Sequence, residues 1–181
     1  MEIWKKISFY LAIMCFLLSL TVHIFAVSGC DVMDQFPLVF LLHFFVLAIW
    51  IPTIINLRDA GSTIQQKPKP GVFLKMILAQ KPNWIILLAV LCAMYTVINF
   101  IMMISYLQAS PAIQDQQYIL QNHGKFVRTI TEAEYHLYRS YEVRLFSGHW
   151  MAFCAVAAAI LFPFYRMEWA SLYQNKKSGL K

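Results

Sequence analysis

Four long apolar segments dominate this sequence of 181 residues and leave few folds open to it. They cover residues 7–27, 36–55, 84–107 and 149–165, and none of the 15 Lys and Arg or the 9 Asp and Glu residues lies inside them. About 20 apolar residues in a helix cross the hydrocarbon of a bilayer. The fourth segment is shorter, but it approaches this length when it is extended to residues 147–165. The pattern predicts an all-α integral membrane protein, folded as one four-transmembrane-helix bundle.

The composition supports a lipid bilayer as the surroundings of this chain. Sixty per cent of the residues are hydrophobic and only 13% are charged, whereas about a quarter of the residues in a soluble domain are charged. No basic patch is interleaved with aromatic residues, so the net charge of +6 does not predict nucleic-acid binding.

Positive residues are distributed unevenly between the segments that connect the predicted helices. Eleven Lys and Arg residues lie before residue 7, between residues 56 and 83, or in the tail 166–181, and only four lie in 108–146. Because Lys and Arg accumulate on the cytoplasmic side of a membrane, both termini are predicted to be cytoplasmic. The predicted location is the inner membrane of a bacterium.

Residues 108–146 are predicted to form a small extracytoplasmic cap, a hairpin followed by a helix. Two β-prone stretches flank Gly124, which can supply the positive φ of a tight turn. Thr131 and Glu134 have the spacing of a capping box at the start of a helix. Its core-facing residues are predicted to be Leu137, Tyr138, Tyr141 and Leu145, with Arg139 and Glu142 paired on the solvated side.

The first apolar segment allows two interpretations. Residues 27–30, Val-Ser-Gly-Cys, resemble a bacterial lipobox, and cleavage there would leave Cys30 as an acylated N-terminus. The segment is longer than the apolar part of a usual signal peptide, which favours an uncleaved first helix. The other three cysteines, Cys15, Cys92 and Cys154, lie within predicted helices, where they are expected to act as small packing residues. A disulfide oxidase would need paired cysteines in its outer loops, so the sequence argues against this class of enzyme.

Polar side chains inside the predicted helices collect toward the outer side. They form a predicted intramembrane cluster of His23, His43, Asn99 and Tyr106, with His149 near the rim. Such residues either bond to one another across helices or bind a cofactor. The first role is preferred and no cofactor or metal site is predicted; the alternative is a b-type haem or a quinone held by His23 and His43, with His149 as a further candidate.

Small and weakly polar residues follow one face of three predicted helices. In the fourth helix this helix-packing face consists of Gly148, Ala152, Ala155 and Ala159. Small residues allow close approach of transmembrane helices. The first helix carries a corresponding stripe of Ser8, Ala12, Cys15, Ser19 and His23, and the third carries Ala89, Cys92, Thr96, Asn99, Met103 and Tyr106. These faces are expected in the bundle interior.

No nucleotide-binding, nucleophile or metalloprotease motif is present in the sequence, which favours a non-enzymatic role. The leading hypothesis is an interaction, assembly or accessory protein that binds a membrane protein, a periplasmic protein or a second copy of itself. A redox-linked protein and an oligomeric transporter component are the alternatives.

Overall fold

The structure is a computed structural model that describes residues 2–62, 77–79 and 81–162. Its long helices are α1 (Glu2–Val27), α3 (Leu41–Ser62), α4 (Asn83–Tyr106) and α5 (Glu132–Leu161); the short α2 (Val32–Gln35) and a 3₁₀ turn (Pro37–Phe40) join α1 to α3. Within these described ranges, four helices are long and apolar enough to cross a membrane, which confirms the prediction of a mostly helical fold with four candidate spans. The end of the fourth predicted segment, 163–165, and the tail 166–181 lie outside the described residues.

Helix α5 lies at the centre of the bundle, because α1, α3 and α4 all pack against it. The described part of its C-terminal half is almost enclosed: residues 154, 155 and 157–161 are buried. The predicted stripe of α1 is buried as well, with every member at most 6% exposed. Large apolar side chains cover the outer surface of α1, α3 and α4, as expected for surfaces that face lipid.

The predicted cap is a three-stranded antiparallel sheet with the strand order β1-β2-β3. The expected hairpin is formed by β2 (Gln117–Asn122) and β3 (Lys125–Thr129), and Gly124 has the positive φ of +77° that its turn requires. An additional strand, β1 (Ser110–Gln114), pairs with β2. The two-residue turn between β1 and β2 places Asp115 and Gln116 at positive φ. Because this turn contains no glycine, the sequence lacks the usual signal of a hairpin there.

The cap helix and the fourth transmembrane segment are one continuous helix of 30 residues. It begins at the predicted capping box: Thr131 caps the backbone N–H of Glu134, and the Glu134 carboxylate accepts from the backbone N–H of Thr131. Of the predicted core-facing residues Leu137 is exposed, whereas Tyr138, Tyr141 and Leu145 are half-buried and Tyr138 packs against a small apolar cluster. The fully buried positions of this part are Tyr135, Ser140 and Val143. The end of the bundle where α5 begins carries the sheet and is called the sheet end below.

Candidate functional site

His23 connects the three helices that meet inside the sheet-end half of the bundle. Its Nδ1 lies 2.8 Å from Ser147 Oγ on α5, and its Nε2 lies 2.6 Å from the Tyr95 hydroxyl on α4. The Ser147 hydroxyl can in turn donate to the backbone carbonyl of Arg144 at 3.3 Å. If His23 Nδ1–H donates to Ser147 and Tyr95 donates to Nε2, each of these polar atoms has a partner.

Asn99 and Arg144 form a second connection between α4 and α5. Arg144 Nε donates to Asn99 Oδ1 at 2.9 Å, and Asn99 Nδ2 donates to the backbone carbonyl of Arg144 at 3.1 Å. Asn99 is 1% exposed. Arg144 is half-buried, and the Asn99 amide gives its guanidinium a hydrogen-bond acceptor between the helices.

Gly148 makes room for this arrangement. A Cβ at position 148 would lie 2.9 Å from Asn99 Nδ2 and 3.8 Å from His23 Cε1. The backbone carbonyl of Gly148 is 2.7 Å from the Thr96 hydroxyl, which lies 2.8 Å from the carbonyl of Cys92 as well. The glycine therefore lets the polar side chains of α1 and α4 reach α5.

His43 lies apart from this network, at an exposed position of α3. It accepts a hydrogen bond of 2.9 Å from the indole Nε1 of Trp150, whose side chain is 1% exposed. A neutral imidazole that accepts at Nδ1 carries its proton on Nε2. His23 and His43 thus have different partners, and both nitrogens of each ring are occupied by a bond or a proton.

The remaining predicted residues occupy three different environments. Tyr106 is 53% exposed and packs against Tyr141. His149 donates from Nδ1 to the carbonyl of Leu145 at 2.8 Å. Of the predicted packing face, Gly148, Ala155 and Ala159 are buried and Ala152 is half-buried.

A cavity of about 350 Å³ lies where α3 and α4 flank α5, and His149 and Trp50 both line it. The Nδ1 bond of His149 leaves its Nε2 as an acceptor. The Trp50 indole N–H is buried and has no hydrogen-bond partner among the described residues. One unpaired donor and one acceptor therefore border the same apolar space.

An ion-pair cluster fixes the α1–α3 connection to α5, and it was missed by the sequence-based analysis. Asp31 Oδ2 lies 2.8 Å from His136 Nδ1 and 2.9 Å from Arg139 Nε. Its Oδ1 accepts from the backbone N–H groups of Met33 and Asp34, so the same carboxylate caps α2. Arg139, predicted to pair with Glu142, therefore pairs with Asp31, a partner more than a hundred residues away that local spacing could not reveal.

The sheet presents apolar side chains on its outside. Phe126 and Val127 on β3 are 61% and 52% exposed, and Ile113 on β1 is 59% exposed. All five residues of β3 are exposed. The strand is attached to α5 by the ion pair of Arg128 with Glu134 at 2.9 Å, and this carboxylate raises the pKa of Arg128.

The buried face of this sheet holds it on α5. Leu120 and Ile130 pack with Tyr135 in a small cluster that is separate from the core of the bundle. Tyr118 donates to the carboxylate of Glu132 at 3.2 Å, and the bond raises the pKa of the phenol. The sheet is therefore a folded layer that is held on α5 through Leu120 and Ile130.

Comparison with family models, with curated proteins and with solved structures found no match. The function is accordingly inferred from the geometry of this chain alone.

Proposed function

We propose that this chain is a non-enzymatic membrane protein that acts by binding another protein at its sheet. One observation carries the proposal: Phe126, Val127 and Ile113 expose large apolar side chains on a folded layer that lies beyond the candidate membrane spans of α1, α3 and α4. Large apolar side chains that stay exposed to water on a small folded layer favour a contact that removes them from water.

The proposed contact uses side chains rather than strand addition. The register of β2 and β3 shifts between Leu120 and Gln121, which leaves Val127 unpaired as in a β-bulge. Bulges and charged residues, here Lys125 and Arg128, discourage a further strand from pairing with an edge. The partner in this proposal is a protein with an apolar surface patch that packs on Phe126 and Val127.

The polar groups of the bundle support a structural role over catalysis. His23, Asn99 and Arg144 bond to side chains or backbone groups of neighbouring helices. A catalytic acid or base needs access to a substrate proton. Hydrogen bonds across helices account for each of these residues without a substrate.

The proposed orientation has both termini in the cytoplasm of a bacterium and the sheet outside its inner membrane. It rests on eleven positive residues against four. Alkaline phosphatase fused after Lys181 should be inactive, while the same enzyme inserted in the turn at His123 and Gly124 should be active. The reverse result would move the sheet, and with it the proposed partner, to the cytoplasmic side.

A photo-crosslinking amino acid at position 126 tests the binding proposal in membranes of the native host. We expect one discrete protein adduct, whose added mass distinguishes a second copy of this chain from a different polypeptide. Leu47 provides the control position, because it is 56% exposed on a candidate membrane span. Adducts with lipid alone at both positions would contradict a protein partner.

A second candidate function, binding of a quinone, is favoured by the unpaired Trp50 indole N–H. This N–H could donate to a quinone carbonyl in the α3–α4 cavity, and His149 Nε2 could accept from a quinol hydroxyl. The sequence-based alternative placed a haem or quinone at His23 and His43. A histidine binds haem iron through a free nitrogen lone pair. The hydrogen bonds of His23 and His43 use the lone pair of each ring, which argues against iron ligation there.

The quinone content of purified protein tests this second candidate. Trp50→Phe removes the indole N–H, so the variant should retain several-fold less quinone after extraction, while Trp84→Phe should match the wild type because Trp84 is exposed. Equal quinone content in all three preparations would exclude the α3–α4 cavity as the binding site.

A further inference from the structure

A second cavity lies at the end of the bundle opposite the sheet, between α1 and α3. Its volume is about 490 Å³. Apolar side chains form most of its wall, including Ile7, Leu11 and Ile55, and Leu161 of α5 contributes as well. Five of the lining residues have polar or charged groups, namely Trp4, Lys5, Ser8, Asn56 and Asp59.

Asn56 points to a ligand because part of its amide is unsatisfied. The residue is only 8% exposed, and its Oδ1 has no hydrogen-bond partner among the described residues. Leaving a buried acceptor unpaired costs about 1–3 kcal/mol. A molecule that donates a hydrogen bond inside the cavity would remove this cost.

The charges around the cavity have both signs. Lys5 has no ion-pair partner within the described ranges. Burial lowers the pKa of Lys81 to about 8, and the nearby positive charge of Lys5 contributes to this shift. Lys81 itself donates to the backbone carbonyl of Phe162 at 2.8 Å, so its position is fixed. Asp59 is one helical turn from Asn56 on α3 and lines the same cavity.

We propose that this cavity binds one phospholipid whose headgroup carries both a phosphate and a primary ammonium, as in phosphatidylethanolamine. The phosphate matches Lys5, the ammonium matches the unpaired Asn56 oxygen, and the acyl chains match the apolar wall. A trimethylammonium group has no N–H to donate. A glycerol headgroup has a hydroxyl but no ammonium that could form a charge-assisted hydrogen bond with the Asn56 oxygen.

Native mass spectrometry of the full chain tests the proposal after reconstitution in equal amounts of phosphatidylethanolamine, phosphatidylcholine and phosphatidylglycerol. Wild-type protein should retain one phosphatidylethanolamine in preference to the other two lipids. Lys5→Gln and Asn56→Leu should each reduce its retention about tenfold, the loss of one charge-assisted hydrogen bond. Asn56→Asp should retain it, because a carboxylate still accepts from the ammonium.

Lys6→Gln is the matched control, since Lys6 is exposed and does not line the cavity. If Asn56→Leu does not fold, the comparison of Lys5→Gln with Lys6→Gln still decides the outcome. Equal retention of the three lipids, a preference for phosphatidylcholine or phosphatidylglycerol, or equal losses in the two lysine variants would overturn the proposal.

Discussion

The interior of the bundle and the outside of the sheet reverse the usual distribution of side chains. In the bundle, buried positions carry His23, Asn99 and Ser147, each hydrogen-bonded to a neighbouring helix. On the sheet, exposed positions carry Phe126 and Val127. Lipid provides no hydrophobic drive for helix association, so polar bonds and close packing hold helices together, whereas exposed apolar groups in water favour a further contact. The difference is the basis for our proposal that the first region serves stability and the second serves binding.

Substitution of Asn99 should have the largest effect on the bundle. Asn99→Leu leaves the Arg144 guanidinium without its side-chain partner, and the expected loss is about 3 kcal/mol of the free energy of unfolding. Unfolding by SDS titration in mixed micelles measures this quantity. Asn99→Asp keeps an acceptor for Arg144 and should lose less; equal stability of wild type and Asn99→Leu would mean that the pair does not hold α4 on α5.

Ala155→Leu tests close packing in the other half of the bundle. Ala155 is 3% exposed on α5, so three added carbon atoms should cost about 1–3 kcal/mol by overpacking. Ala48→Leu, at an exposed position of α3, is the control and should change stability by less than about 0.5 kcal/mol. Similar melting temperatures for the two variants in detergent would argue against a tightly packed interior.

Gly148→Ala should cost about 1 kcal/mol, because the new Cβ would displace the Asn99 amide from its bond to Arg144. A double-mutant cycle sharpens this prediction. In the Asn99→Ala background the amide is gone, and the cost of Gly148→Ala should disappear. Costs that simply add would show that the glycine serves the backbone and not the polar network.

His43 should have an effect similar to that of Gly148, because one hydrogen bond at an exposed position of α3 is at stake. His43→Leu leaves the buried Trp150 N–H without an acceptor and should cost about 1–2 kcal/mol. Glutamine can still accept this bond, so His43→Gln should cost less than leucine. If both variants lose equally, the imidazole has a role beyond accepting from Trp150.

The helices were predictable because each rests on local composition. The stripe Ser8, Ala12, Cys15, Ser19 and His23 fixes which side of α1 is buried, since weakly polar groups avoid lipid and small ones allow close contact. The capping box at Thr131 and the turn at Gly124 are local signals as well. These features therefore agree between sequence and structure.

The long-range partners were not predictable from spacing. His43 bonds to Trp150 and Asp31 pairs with His136 and Arg139, each across more than a hundred residues. The cap-helix face was predicted only in part: apolar periodicity favoured Leu137, which is exposed, as well as Tyr138, which packs against the small apolar cluster. The structure instead buries Ser140 and Val143, because α5 continues without a break and its small residues face the neighbouring elements.

The size of the complex that mild detergent releases from native membranes tests the central comparison most directly. The account predicts that wild-type protein migrates together with a second polypeptide. The variant carrying Phe126→Asp and Val127→Asp should migrate as a single chain in one micelle, with an unchanged melting temperature, because both side chains are exposed in the isolated fold. Equal migration of the two proteins, or a large drop in the melting temperature of the variant, would contradict it.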